Sequence, residues 1–209
     1  MFHPVRFPHN DRVIDHYRRL FERHQWLLNG LCWTVVQPLD DDLTVDDLLW
    51  RLNGGRDPER RGMYFREAEE LEEGRLVLLL VEEDMACGFL SASGDPTPDA
   101  ILAELSRGAR VWMTTWHFKG GETLLYAAGG EIRAKIYDFV FAERLIEHGD
   151  QSILADFRTL LDGLGPQDYL GKYCAAFAFI EAATGVGLET EWLEAEEAPV
   201  VLLDNPGRG

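Results

Sequence analysis

A chain of 209 residues, 46% apolar and 11% aromatic, has ample material for a packed core, which excludes a disordered protein. Its 37 acids against 20 bases give a formal charge of −17, a field that repels nucleic acid and anionic membrane. No fully apolar run, Leu76–Val81 included, approaches a bilayer span, and the start MFHPVRFPHND has no hydrophobic signal region. The expectation is a single cytoplasmic domain over 1–209 with no membrane contact.

Residues 1–10, with Pro4 and Pro8, read as an extended arm. Residues 11–29 place Val13, Tyr17, Leu20, Phe21, Trp26, Leu27 and Leu28 at roughly helical spacing, and Gly30 supplies a stop. The β-branched and aromatic run 31–37 predicts a strand closed by Pro38. Thr44 caps a short helix, 45–52, which ends at Asn53-Gly54-Gly55, and an acidic helix follows over 65–73. The nearly unbroken apolar run 75–83 predicts a central strand, with a partner at 86–91 across the Glu83–Met85 turn. Thr97-Pro98-Asp99 starts a helix that runs to Arg107.

Three more strands are predicted at 109–118, 122–128 and 131–138. Gly129-Gly130 fits a two-residue hairpin turn, which sets Tyr126 opposite Arg133 and Leu124 opposite Lys135. Leu125, Ala127, Ile132, Ala134 and Ile136 would then share one core face. Residues 152–164 read as an amphipathic helix. Residues 169–184 are apolar nearly all round, hence a buried helix ending at Gly185. A short acidic helix near 190–196, a strand-like piece at Val200–Leu203 and a frayed tail at 204–209 complete the chain. No βαβ alternation with a glycine-rich phosphate loop occurs. The fold class is therefore α+β, a mainly antiparallel sheet of about five or six strands flanked by about six helices.

The charge is unevenly placed. Residues 1–66 hold ten bases and ten acids, so all of the excess lies in 67–209, with acid clusters at 67–73, 82–84 and 189–197. Such a field speeds association with a basic partner. Cys32, Cys87 and Cys174 are odd in number, far apart and set in apolar segments, which predicts buried thiols. Only Lys119, Lys135 and Lys172 among the bases are lysine, a bias that suggests a high-GC bacterial source.

Several ordered motifs carry a likeness: GLCWTVV, TVDDLLWRLNGG, FREAEEL, LLLVEED, LSRGARVWMTTW followed by LLYAAGGEI, and EAATGVGLETEWL. Over about 26–193 they resemble an uncharacterised actinobacterial family, a domain of unknown function. Cys32 and Thr34, Asp47–Leu52, Leu105–Gly108, Tyr126–Gly130 and Thr184–Leu188 occupy the motif positions. Two places depart from the pattern: Gly129-Gly130 stands for Asp-Gly, and Thr115-Trp116-His117-Phe118 stands for an Arg-Asn stretch. The resemblance implies kinship and brings no assigned activity.

No residue pattern selects a catalytic pair, a metal site or a cofactor. The six histidines form neither HxxxH nor HExxH, and Asp40, Asp41, Asp42, Asp46 and Asp47 lack the calcium-loop spacing and read as helix-start acids. Arg18, Arg19 and Arg23 give the first helix a basic stripe too small to argue for nucleic acid. The strand at 109–118 and the hairpin instead offer an aromatic and basic set: Trp112, Trp116, Tyr126, Arg133, Lys135 and Tyr137. Residues of these types anchor protein interfaces, although the same face could be covered by the C-terminal helices.

The leading expectation is a non-catalytic protein-binding module, an immunity-type or regulatory partner of a basic protein. The alternative is an enzyme with a scattered site, a thiol-based hydrolase or transferase drawing on Cys32, Cys87 and His117. A third is a structural subunit of a larger assembly, with helix 169–184 at a subunit contact.

Overall fold

The computed structural model describes residues 8–39, 42–72, 74–93 and 97–204. Among the described residues nine strands form one antiparallel sheet: β1 (Gly30–Pro38), β2 (Glu59–Gly62), β3 (Leu76–Glu83), β4 (Ala86–Ser91), β5 (Ala109–His117), β6 (Thr123–Ala128), β7 (Glu131–Tyr137), β8 (Ile146–Gly149) and β9 (Pro199–Leu203). Their order across the sheet is β2-β9-β3-β4-β1-β5-β6-β7-β8. Seven α-helices among the same residues accompany them: α1 (Pro8–Arg23), α2 (Val45–Leu52), α3 (Phe65–Leu71), α4 (Asp99–Leu105), α5 (Ala155–Asp162), α6 (Tyr169–Thr184) and α7 (Thr190–Glu194).

The α+β class and the antiparallel sheet agree with the sequence expectation, but the sheet has nine strands rather than five or six. The unforeseen members are β2, sequence ERRG, and β8, sequence IEHG, which close the two edges. Each is four residues long and exposed throughout. An edge strand of polar residues carries no alternating apolar signature, so only its pairing with a neighbour defines it.

Both faces of the sheet are buried. Alternate residues of the central strands, including Leu31, Trp33, Val35, Leu79, Trp112 and Trp116, pack with α1, α3, α5, α6 and α7. The intervening residues, including Val36, Leu78, Leu80, Phe89, Val111 and Leu125, pack with α2 and α4. This is why 75–83 reads as an unbroken apolar run: a strand covered on both sides has no polar face.

α6 is buried along most of its length, as its composition requires, and lies over β1 and β5 with α1 beside it. Two polar ties fix its ends to α1. Arg18 pairs with the N-cap Asp168, whose carboxylate also accepts from Gly171 N, and Tyr17 OH donates to Glu181 at 2.6 Å. The predicted helix over 11–29 is divided. α1 ends at Arg23 and a 3-10 turn covers Gln25–Asn29. The expected arm over 1–10 is corrected in part, because residues 8–10 already belong to α1; residues 1–7 lie outside the described residues. Of the expected frayed tail, Asp204 is tied by its N–H to Asn53 Oδ1 at 2.9 Å, and 205–209 lie outside the described residues.

The β6–β7 hairpin corrects the expected register. Ala128 faces Glu131 and Ala127 faces Ile132, as a two-residue turn dictates. Tyr126 then faces Ala134, and Leu124 faces Ile136, because Arg133 is an extra residue in a bulge. Asp150 N donates to the displaced Arg133 carbonyl at 2.9 Å, and Gly149 lies so close that a Cβ there would come within 2.1 Å of that oxygen. One inserted residue exchanges the two faces of a strand. Ile132 therefore joins Leu125 and Ala127 on the α2/α4 side, whereas Ala134 and Ile136 join Leu124 on the other.

Candidate functional site

The six residues expected to form one patch fall on both sides of the sheet. Trp112, Trp116 and Tyr126 belong to the α1/α6 face. Trp116 is only 1% exposed; its Nε1 donates to Leu27 O at 3.0 Å, and Phe21, Tyr173 and Phe177 surround the indole. It is a core anchor and presents no surface to a partner. Trp112, 7% exposed, packs on the half-buried Tyr126 with ring centroids 4.9 Å apart. The bulge sends Lys135 and Tyr137 to the opposite side. There Lys135 Nζ meets Asp99 of α4 at 3.0 Å and lies 4.7 Å from the Tyr137 ring centroid. Arg133 is exposed and pairs with Glu131 at 3.2 Å.

The thiols are buried, as expected. Burial pushes Cys32 up from its ordinary value, and Cys174 up to about 12. Burial and, behind it, the charge of Glu82 push Cys87 up to about 12. Cys32 does have His117 as a diagonal neighbour, since Cys32 pairs with Thr115 and Gly30 with His117. Its sulfur, however, is engaged by hydroxyls, lying 3.7 Å from Thr34 Oγ1 and 3.8 Å from Thr97 Oγ1. A nucleophilic cysteine needs the thiolate; these hydroxyls favour it, but burial outweighs them and keeps Cys32 protonated. Among the described residues no group of three or more His, Cys, Asp or Glu gathers as a metal site, and no helix is long and apolar enough to cross a membrane.

A groove lies elsewhere, where the end of β1 and the start of α2 meet the β3–β4 turn. Pairing of Val36 with Cys87 brings Pro38 and residues 43–45 beside 82–87. The groove has a volume of about 330 Å³, with Cys87 and Ala86 in its lining and apolar walls from Pro38, Leu43, Val45 and Met85. Met85 is 69% exposed, and Leu39, next to Pro38, is 56% exposed. Glu82, Glu83 and Asp84 line it as well.

Local chemistry fixes the α2 side of this groove. Thr44 Oγ1 accepts from Asp47 N at 3.2 Å, and Asp47 Oδ2 accepts from Thr44 N at 2.9 Å, a reciprocal cap at the helix start. The Thr44 hydroxyl also donates to Asp47 Oδ2 at 2.6 Å, and this bond, with the one from Thr44 N, holds the Asp47 carboxyl below its ordinary value. Leu48, Leu49 and Leu52 bury the inner face of the helix. A second cavity of about 240 Å³ shares Glu82 with the first and extends past Leu80 to Arg60, Arg61, Pro199 and Val201. Arg60 is held across to Asp46 of α2 at 2.5 Å, so its charge is already matched.

The sequence marks 82–84 as an acid cluster and 83–85 as a turn, which is the signal that was available. The apolar side of the groove had none, because Pro38, Leu43 and Val45 belong to it only through the β1–β4 pairing. Comparison of the chain with protein-family models, curated proteins and solved structures returns no match.

Proposed function

We propose that this protein is a non-catalytic binding module that receives a basic, partly apolar segment of another protein in the groove between α2 and the β3–β4 turn. The observation that carries the reading is Met85: a large apolar side chain, mostly exposed, beside an apolar cavity and next to three acids. Exposed apolar area rimmed by charge of one sign marks an interaction surface, and that sign selects the partner. The excess of acid over 67–209 acts in the same direction at longer range. A regulatory or immunity-type partner of a basic protein is the biological form this reading takes. The likeness to an uncharacterised actinobacterial family is a proposal of kinship beside it.

The thiol-based alternative has less support, since each sulfur is buried with its pKa raised. A subunit contact through α6 has less support as well, because the helix is already covered by α1 and the sheet.

The test is selection of a displayed library of random twelve-residue peptides on the wild-type protein, with counter-selection on Met85→Asp/Glu83→Lys. The expected winners carry Arg or Lys around one Leu, Met or Phe and are lost on the variant. Winners without basic residues, or winners that bind the variant equally well, overturn the assignment.

A further inference from the structure

Antiparallel strands aim the backbone groups of alternate residues at alternate neighbours. In β3, Glu83 pairs with Ala86 across the two-residue turn Asp84-Met85, so Val81 and Glu83 direct their backbone groups toward β4. Leu80 and Glu82 direct theirs to the other side, toward β9. There the ladder stops early: the last pair with β9 is Leu79 with Val200, and β9 begins at Pro199. Proline has no N–H to offer the Leu80 carbonyl. β3 nevertheless runs on to Glu83, and among the described residues no strand pairs with its last four residues on that side.

Space for a chain lies against this open edge. The cavity of about 240 Å³ is lined by Leu80 and Glu82 of β3, by Pro199–Val201 of β9 and by Arg60, Arg61 and Gly62 of β2, the two arginines being paired with Asp46 and with Glu59 and Glu72. The two outer edges of the sheet are managed differently. β2 carries Arg60 and Arg61, both matched to acids, and on β8 the His148 carbonyl is taken by Gln151 Nε2 at 2.6 Å. At the β3 notch the open strand end itself carries Glu82, Glu83 and Asp84, all exposed, and unlike Arg60 and Arg61 across the cavity they are not drawn into an ion pair among the described residues. Charged edges discourage self-pairing, and a second copy of a chain of charge −17 is repelled here. A basic extended segment is attracted by the same groups.

We propose that the notch is a strand-addition site. An extended basic peptide adds to β3 beside Leu80–Glu83, exchanges main-chain hydrogen bonds with Glu82 and the Leu80 carbonyl, and sets a basic side chain against Glu82 where the two cavities meet. The inference rests on the binding reading above and adds the mode of recognition to it. In this mode the main chain supplies affinity and alternate side chains supply specificity.

The probe is a fluorescein-labelled hexapeptide of alternating Arg and Val, titrated into the full-length protein and followed by anisotropy. A second copy of the probe carries N-methyl groups on alternate residues, in each of the two possible frames. Strand addition predicts that one methylated frame loses at least about tenfold in affinity while the other does not. It also predicts that Glu82→Lys weakens the unmethylated probe, and that amide exchange slows at Glu82 on binding. Equal affinity of all three peptides overturns strand addition while leaving the groove reading intact. No binding of any of them also overturns strand addition, and the library selection, which demands no extended backbone, decides the groove separately. A probe-induced dimer that is insensitive to Glu82→Lys assigns the edge to self-pairing and overturns the proposal.

Discussion

Trp33 of β1 lies flat over Gly88 of β4: a Cβ at position 88 would stand 2.1 Å from Trp33 Cη2. Gly88 pairs with Val35 on one side and Val81 on the other, so its backbone is held from both directions and cannot retreat. The indole is pinned from above by Phe177 of α6, stacked at 5.9 Å with the rings 11° apart. A missing side chain in the centre of the sheet is thus what lets the largest side chain of the core lie down beneath α6.

Gly88→Ala is therefore expected to destabilise the fold by about 3 kcal/mol, at the upper end of the overpacking range. Urea denaturation followed by tryptophan fluorescence measures it. Trp33→Leu removes the clash, so Gly88→Ala should cost much less in that background. Equal costs in the two backgrounds would show that the two residues are not coupled.

Gly149→Ala should act on one edge only. Its φ of 76° is unfavourable for alanine, and the added Cβ meets the Arg133 carbonyl of the bulge. The expected cost is about 2 kcal/mol. Amide exchange should speed up in β7 and β8 while β3, β4 and β1 stay protected. A uniform increase across the sheet would contradict a local role for the bulge.

Trp116 and Arg133 separate a core role from a surface role. Trp116→Ala should cost about 3–5 kcal/mol, since it removes a buried indole and strands the Leu27 carbonyl it serves. Arg133→Ala should stay within about 0.5 kcal/mol, because its partner Glu131 is itself exposed. Thermal unfolding of the two variants decides this, and a Trp116→Ala protein as stable as wild type would remove Trp116 from the core.

Alkaline pH should unfold the protein through its buried acids of high pKa. Cys87 and Cys174 are pushed by burial from 9.0 to about 12. In the unfolded chain they lose their protons near pH 9, and in the folded chain not until about pH 12. The unfolded state then binds fewer protons, so the stability these thiols contribute is complete below about pH 9 and is lost as pH rises toward 12. Tyr17 and Tyr173, raised first by burial and then by Glu181 and Glu122 respectively, add the same sign above pH 10. Urea midpoints between pH 8 and pH 11 should fall steadily, and Cys87→Ala/Cys174→Ala should flatten the slope. A flat wild-type profile would contradict the burial of these groups.

The Arg18–Asp168 pair between α1 and α6 works at the acid end. The hydrogen bond from Arg18 holds the Asp168 carboxyl below its ordinary range, so its contribution is present above about pH 4 and is lost as pH falls through the lowered value. Arg18→Ala should cost about 1–2 kcal/mol at pH 7, with the difference from wild type shrinking toward pH 2. A pH-independent difference would mean that Arg18 acts by packing alone.

The sequence by itself determined the elements whose cause is local. Helix 45–52 has its cap in Thr44 and its apolar stripe in Leu48, Leu49 and Leu52, so its limits were legible to the residue. The doubly covered β3 and the all-round apolar α6 announced themselves by composition, because burial on every side leaves no polar face. The acid cluster at 82–84 was visible too, as was the turn that carries it. Only the tertiary structure decided the rest. Polar β2 and β8 exist because β9 and β7 offer them an edge, which no periodicity within ERRG or IEHG encodes. The bulge at Arg133 reversed the faces of half a strand and divided a patch that alternation had joined. Trp116 and Met85 are both large apolar side chains in the sequence. The first is sealed beneath α1 and α6 and the second stands open at a turn, since exposure is set by what packs against a residue from far along the chain.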